Sequence, residues 1–96
     1  MTREEHLLVI LAEECNELAK EAAKALRFGL NNGEPGKNIT NRERITIEFN
    51  DLFSVVKMCV DEGILNLDII DIEQIDDKRI KVEKYLEYSK NIGKLI

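Results

Sequence analysis

Two short acidic motifs are the part of this sequence best suited to chemistry. Each holds two carboxylates three positions apart, within the stretches 13–17 and 48–51. If both stretches are helical, each pair shares one helix face. Carboxylate oxygens are the ligands that hard divalent cations such as Mg²⁺ and Mn²⁺ prefer, so a helix pair carrying them predicts a metal site. The four proposed ligands are Glu14, Glu17, Glu48 and Asp51.

Their placement separates these carboxylates from ordinary surface acids. Glu14 lies near Leu18 and Glu48 near Leu52, so both lie at the edge of an apolar helix face. Like charges one turn apart repel by roughly 0.2–0.5 kcal/mol, and partly buried charges cost more unless they are paired or bound to metal. Neither Glu14 nor Asp51 has a basic residue three or four positions away. This placement strengthens the hypothesis of metal binding, while a solvated acidic face is the more common explanation of such a pattern.

Three helices are predicted to position these residues. Thr2 with Glu5, and Thr40 with Glu43, have the spacing of helix-starting capping boxes. Glycines follow each periodic segment, where helix ends prefer them, and a glycine-rich loop with the only proline separates the first two. The predicted helices run from about Arg3 to Phe28, from about Asn41 to Glu62, and from Asp68 or Ile72 to about Asn91.

Each helix has an apolar face at helical spacing. On the first helix it comprises Leu7, Leu8, Leu11, Cys15, Leu18, Ala22, Ala25 and Leu26. On the second it comprises Ile45, Phe49, Leu52, Phe53, Val56, Cys59 and Val60, and on the third Ile72, Ile75, Val82 and Leu86. A chain this short buries only about 60–65% of its unfolded surface. We expect one all-α domain over residues 1–96, a small bundle of three to four helices completed by assembly into a homodimer or homotetramer.

Composition excludes several classes of protein. The chain has 19 acidic and 14 basic residues and a net charge of −5, which argues against a nucleic-acid partner. No apolar run approaches the ~18 residues of a membrane span, and the acidic start is unlike a signal peptide. Two cysteines are too few for a disulfide scaffold. The expected setting is the cytoplasm, without a membrane partner.

The order of the two acidic motifs resembles a known family. Glu13-Glu14-x-x-Glu17 followed by Glu48-x-x-Asp51 is similar to the E-E-x-x-E and E-x-x-D signature of the MazG-like, all-α nucleoside triphosphate pyrophosphohydrolases. The surrounding stretches 8–14, 24–29, 41–45 and 81–85 look like the small single-domain phage and bacterial members, and the resemblance covers roughly residues 5–90. One departure is Asn50, where many relatives carry glycine.

The resemblance implies a Mg²⁺-dependent enzyme, with Mn²⁺ as a possible substitute. Water attacks the α-phosphorus of a nucleoside triphosphate and releases a nucleoside monophosphate and pyrophosphate. Glu14, Glu17, Glu48 and Asp51 are then the metal ligands. Glu13 or Glu21 orients or deprotonates the water, although Glu21 could instead pair with Lys24. Lys81 and Lys84 bind phosphate, with Lys78 as the next candidate, unless these lysines only solvate their helix.

Three other functions stay open at this point. Two are related activities, a dUTPase-like branch and a phosphoribosyl-ATP pyrophosphatase-like branch of the same superfamily. The third is a helical interaction or regulatory module without catalysis. The intact set of four acids argues against the last, because a degenerate member is expected to lose one or more of them.

Overall fold

Three helices dominate the computed structural model, which describes residues 1–96. Helix α1 spans Arg3–Phe28, α2 spans Asn41–Asp61 and α3 spans Ile72–Asn91. There is no β-strand. The all-α prediction is confirmed. Helices α1 and α2 begin and end within about one residue of the predicted positions, and α3 begins at Ile72, the later of its two predicted starts. None of the three helices combines the length and apolar content needed to cross a membrane.

The predicted caps begin the first two helices. The Thr2 hydroxyl accepts a hydrogen bond from the backbone N–H of Glu5, and the Glu5 carboxylate accepts one from the N–H of Thr2, which completes a capping box. Thr40 accepts in the same way from the N–H of Glu43, but the reciprocal bond to the Glu43 carboxylate is not present, so the predicted box is only half formed. Gly29 ends α1 with a φ of 95°, a backbone conformation that favours glycine.

Helices α1 and α2 form an antiparallel hairpin. Arg3 at the start of α1 binds Glu62 just after α2, while the side-chain N–H of Asn41 at the start of α2 donates to the carbonyl of Gly29. Between these ends, buried or half-buried residues recur at alternating spacings of three and four, as in a coiled-coil seam. We call these residues the seam: Leu7, Leu11, Glu14, Leu18, Glu21 and Ala25 of α1, with Asn41, Ile45, Glu48, Leu52, Val55 and Cys59 of α2.

The seam is narrower than the predicted apolar faces. Leu8 is 42% exposed and Leu26 is 89% exposed on α1, while Phe49 and Phe53 of α2 are 53% and 46% exposed. All four lie one position after a seam residue in the chain, on the same flank of an antiparallel pair. We call this side the apolar flank. One chain therefore leaves part of its predicted core uncovered.

Helix α3 stands apart from the hairpin. It packs against neither α1 nor α2, and none of its residues is buried. The radius of gyration is 16.9 Å, whereas a compact domain of this length has about 12.5 Å. A single chain is thus a two-helix hairpin with a projecting third helix. The predicted bundle of three to four helices is not present within one chain, and its completion by other copies stays a prediction.

Candidate metal centre and adjoining cleft

Glu48 is the centre of the acidic site. One of its carboxylate oxygens groups with those of Glu14 and Asp51, and one groups with those of Glu17 and Glu21. Within each group the oxygens all lie within 4.8 Å of one another. The structure therefore brings all four predicted ligands around one residue of α2, and it adds Glu21.

The seam explains why these acids meet. Glu14 and Glu21 occupy two seam positions of α1 that are two turns apart, and Glu48 faces them from α2. Glu17 and Asp51 each precede the next seam residue by one position, which places both on the flank opposite the apolar one. Glu21 is only 5% exposed. Carboxylates thus replace apolar side chains at the positions that normally hold two helices together.

The surroundings of Glu48 disfavour its ionised form. The pKa of Glu48 is raised above its ordinary value, and the largest cause is burial, which removes water from the carboxylate. Repulsion from Asp51, Glu17, Glu14 and Glu21, in decreasing order, raises it further. A divalent cation would reverse this effect, because it favours the ionised form of every carboxylate around it.

Two lysines neutralise only part of this charge. Lys24 Nζ lies 3.5 Å from Glu21 Oε1, and Lys20 Nζ lies 3.9 Å from Glu17 Oε2. Glu14, Glu48 and Asp51 form no ion pair. These three make up the first of the two oxygen groups. The negative charge of Glu14, Glu48 and Asp51 is therefore not balanced by an ion pair within the chain.

The remaining predicted site residues lie elsewhere. Glu13 is exposed and belongs to neither oxygen group. Lys78, Lys81 and Lys84 are on α3, which does not contact the hairpin of the same chain. The structure therefore places Glu21, but not Glu13 or the three lysines, beside the predicted ligands.

A cleft of about 810 Å³ continues from the acidic site towards the loop between α1 and α2. Hydrogen bonds hold this loop in place: the backbone N–H of Asn41 donates to the carbonyl of Asn32, and that of Arg42 donates to the carbonyl of Leu30. At Gly33 a side chain would overlap the carbonyl oxygen of Ile39, so only glycine fits. The charged residues lining the cleft are Glu17, Lys20, Glu21, Lys24, Glu34, Lys37, Arg44 and Glu48.

The donor chemistry fits a hard divalent cation. Every atom in the two groups is a carboxylate oxygen, with no histidine or cysteine sulfur among them. Glu14 and Glu48 are half-buried, which limits competition from water, while Asp51 is exposed and accessible. Comparison of the chain with protein-family models, with curated proteins and with solved structures gives no match.

Proposed function

We propose that this protein is a Mg²⁺-dependent nucleoside triphosphate pyrophosphohydrolase. Its substrates are ribo- or deoxyribonucleoside triphosphates, and its products are the nucleoside monophosphate and pyrophosphate. The observation that carries the proposal is the meeting of Glu48 with four other carboxylates across the hairpin. The resemblance to the E-E-x-x-E and E-x-x-D signature supplies the reaction class.

Glu14, Glu17, Glu48 and Asp51 are the proposed metal ligands, two from each helix. When bound, Mg²⁺ supplies charge neutralisation on phosphate oxygens and activation of water. Mn²⁺ has similar ligand preferences and is the expected substitute. The half-buried seam positions of Glu14 and Glu48 hold two of the carboxylates in place before substrate arrives.

We assign the attacking water to Glu21 rather than Glu13. Glu21 is buried within the acidic site, whereas Glu13 is exposed and outside both oxygen groups. The water oxygen forms a bond to the α-phosphorus, and the bond from that phosphorus to the oxygen bridging to the β-phosphate breaks. The Glu21 carboxylate accepts the water proton, and pyrophosphate leaves with the bridging oxygen.

We further propose that the active form is a homodimer or homotetramer. The apolar flank of the hairpin and the apolar residues of α3 both lack cover within one chain, since Ile72 and Ile75 are 67% and 50% exposed. Docking of α3 on the hairpin of another copy would cover both surfaces. It would also give Lys78, Lys81 and Lys84 a route to the acidic site of another copy. The proposed setting is the cytoplasm, where cysteines stay reduced.

The activity is tested by incubating the full-length protein with each nucleoside triphosphate, with and without Mg²⁺, and identifying the products. We expect monophosphate and pyrophosphate only when Mg²⁺ is present. Diphosphate with orthophosphate would contradict attack on the α-phosphorus. Exclusive turnover of dUTP or of phosphoribosyl-ATP would assign one of the related branches. No turnover of any substrate would favour a non-catalytic helical module.

Assembly is tested by sedimentation equilibrium of the full chain at micromolar concentration. We expect a mass of two or four chains. A stable monomer would contradict the proposed sharing of α3 between copies.

A further inference from the structure

The cleft beside the acidic site is lined by equal numbers of cationic and acidic side chains, four of each. Lys20, Lys24, Lys37 and Arg44 all line it. Three of them have acidic partners, and the closest pair is Lys37 Nζ with Glu34 Oε2 at 3.1 Å. Arg44 is the exception. A cleft with an unengaged cation at one end and a carboxylate cluster at the other is chemically polarised.

Arg44 is half-buried and has no ion pair. Its guanidinium also makes no side-chain hydrogen bond within the chain. A guanidinium offers five N–H donors in a planar fork that matches carboxylates and phosphates. Because it lines the cleft without a partner, its donors are available to an anionic ligand.

The position of Arg44 relative to Glu48 determines how an anionic ligand would be oriented in the cleft. The two residues are four apart on α2, so they share a helix face and are about 6 Å apart along its axis. An anion that reaches both ends of this span must be extended and carry charge along its length. A triphosphate meets this requirement, with its α-phosphate at the acids and its outer phosphates towards Arg44.

We propose that Arg44, assisted by Lys24, binds the β- and γ-phosphates of the substrate in this cleft. The inference rests on the proposed function and identifies phosphate-binding residues that belong to the same hairpin as the acids. Lys24 lies 3.5 Å from Glu21, a long contact that a phosphate oxygen can replace or share. The lysines of α3 are then not the primary phosphate ligands within one chain.

Binding of inorganic pyrophosphate in the presence of Mg²⁺, measured by isothermal titration calorimetry, tests this site without turnover. Arg44→Met is expected to raise the Kd for pyrophosphate by about 10- to 100-fold, from the loss of charge-assisted hydrogen bonds. Lys24→Met is expected to raise this Kd less than Arg44→Met does. Arg44→Lys keeps the charge but loses the planar fork, so its Kd is expected to lie between those of the wild type and Arg44→Met. Thermal unfolding of each variant checks that the hairpin remains folded.

Arg42→Met is the matched control. Arg42 is on the same helix two positions earlier, exposed, and bound to Asn31 outside the cleft. Its loss is expected to leave the Kd for pyrophosphate unchanged. Mn²⁺ binding without phosphate, followed by electron paramagnetic resonance, is expected to be no weaker in Arg44→Met than in the wild type, because Arg44 is not among the proposed ligands.

The outcomes separate the two proposals. An unchanged Kd and KM in a folded Arg44→Met variant would overturn the cleft assignment even if the wild type hydrolyses triphosphates. Equal losses in Arg44→Met and Arg42→Met would also overturn it, because the effect would then reflect net charge alone. Arg44-dependent pyrophosphate binding without hydrolysis of any triphosphate would contradict the proposed function and support the phosphate site.

Discussion

The seam of the hairpin has two parts that share a backbone geometry but differ in chemistry. The apolar half lies where the start of α1 meets the end of α2, and it comprises Leu7, Leu11, Val55 and Cys59. The acidic half lies nearer the loop between the helices and contains Glu14, Glu21 and Glu48. Cys59 is fully buried and Leu7 is 5% exposed, so the apolar half supplies the packing. Apolar side chains at the acidic positions would pack at least as well, so stability alone does not explain these acids.

The two halves also respond to protons in opposite directions. Near the apolar half, Glu62 accepts a hydrogen bond from Arg3, and this interaction lowers the pKa of Glu62. In the acidic half, burial and four neighbouring carboxylates raise the pKa of Glu48. The first pattern is that of a surface ion pair, and the second is that of partly buried carboxylates that repel one another.

The largest effect is expected from Glu48→Gln in the acidic half. This variant is nearly isosteric, but it removes the charge that both oxygen groups share. We expect Mg²⁺-dependent turnover to fall by more than about 100-fold, since even outer-shell partners of metal ligands contribute 10- to 100-fold. Steady-state assays at saturating Mg²⁺ measure this loss.

The control for this variant is Glu4→Gln, an exposed acid of α1 outside both oxygen groups. It makes the same change of charge and is expected to retain full turnover. Full turnover in Glu48→Gln would remove the ligand assignment, and with it the functional distinction between the halves of the seam.

The next largest effect is expected from Leu7→Ala in the apolar half. Because Leu7 is buried, its truncation is expected to lower the free energy of unfolding by about 2–3 kcal/mol, near the lower end for buried leucines. Leu67→Ala, at a leucine that is 84% exposed in the connection between α2 and α3 and outside the apolar flank, is expected to change it by less than about 0.5 kcal/mol. Urea unfolding of both variants provides the comparison. Equal losses would mean that burial in the seam does not hold the fold together.

Much of the fold follows from local sequence. Thr2 and Glu5 satisfy the first N–H groups of α1 through their own side chains, and Gly29 adopts the positive φ that ends it. Such interactions involve residues close in the chain, so their spacing is enough to predict them. This is why both ends of α1 and α2 were predictable to within about one residue.

The packing was less predictable, because each apolar face contains more residues than a single neighbouring helix can bury. Leu7 and Leu8 are equally apolar neighbours, yet Leu7 is buried and Leu8 is 42% exposed. Only the orientation of α2 decides which of them faces the seam. Helix α3 also has apolar residues at helical spacing, and that spacing does not reveal that α3 lies apart from the hairpin.

The candidate site shows the same division. The i, i+3 pairs of acids are a local pattern, and the sequence predicted them. Glu21 becomes a buried member of the site only because its seam position faces α2. Lys37 of the loop and Arg44 of α2 line one cleft because the loop folds beside the hairpin, and no short-range spacing in the sequence encodes that fold. Arg44 lies four residues before Glu48, a spacing that suits an ion pair on a helix, but the structure contains no such pair.

A smaller effect concerns the pH dependence of the metal-free protein. Because folding raises the pKa of Glu48, its protonated form stabilises the fold below the ordinary value of 4.5, and this contribution is lost as pH rises through the raised pKa. Glu48→Gln cannot ionise there. In EDTA, we expect the wild type to become progressively less stable than this variant as pH rises, and added Mg²⁺ to reduce the difference. Urea unfolding across a pH series measures it, and a difference independent of pH would contradict the raised pKa.

The smallest effect is expected where Arg3 meets Glu62 at the end of the apolar half. Arg3 Nε and an Nη donate to the two Glu62 oxygens at 2.8 and 2.9 Å, but the Arg3 side chain is 70% exposed. Such pairs contribute little to stability because water and salt screen them. The lowered pKa of Glu62 gives stabilisation above pH 4.5 that is lost as pH falls through that lowered pKa. Arg3→Met is therefore expected to lower Tm slightly at pH 7 and to have no effect at strongly acidic pH.

Lys57→Met, which removes the surface pair with Asp61, is the control and is expected to behave similarly. A loss as large as that of Leu7→Ala would mean that this ion pair, rather than apolar packing, closes the hairpin.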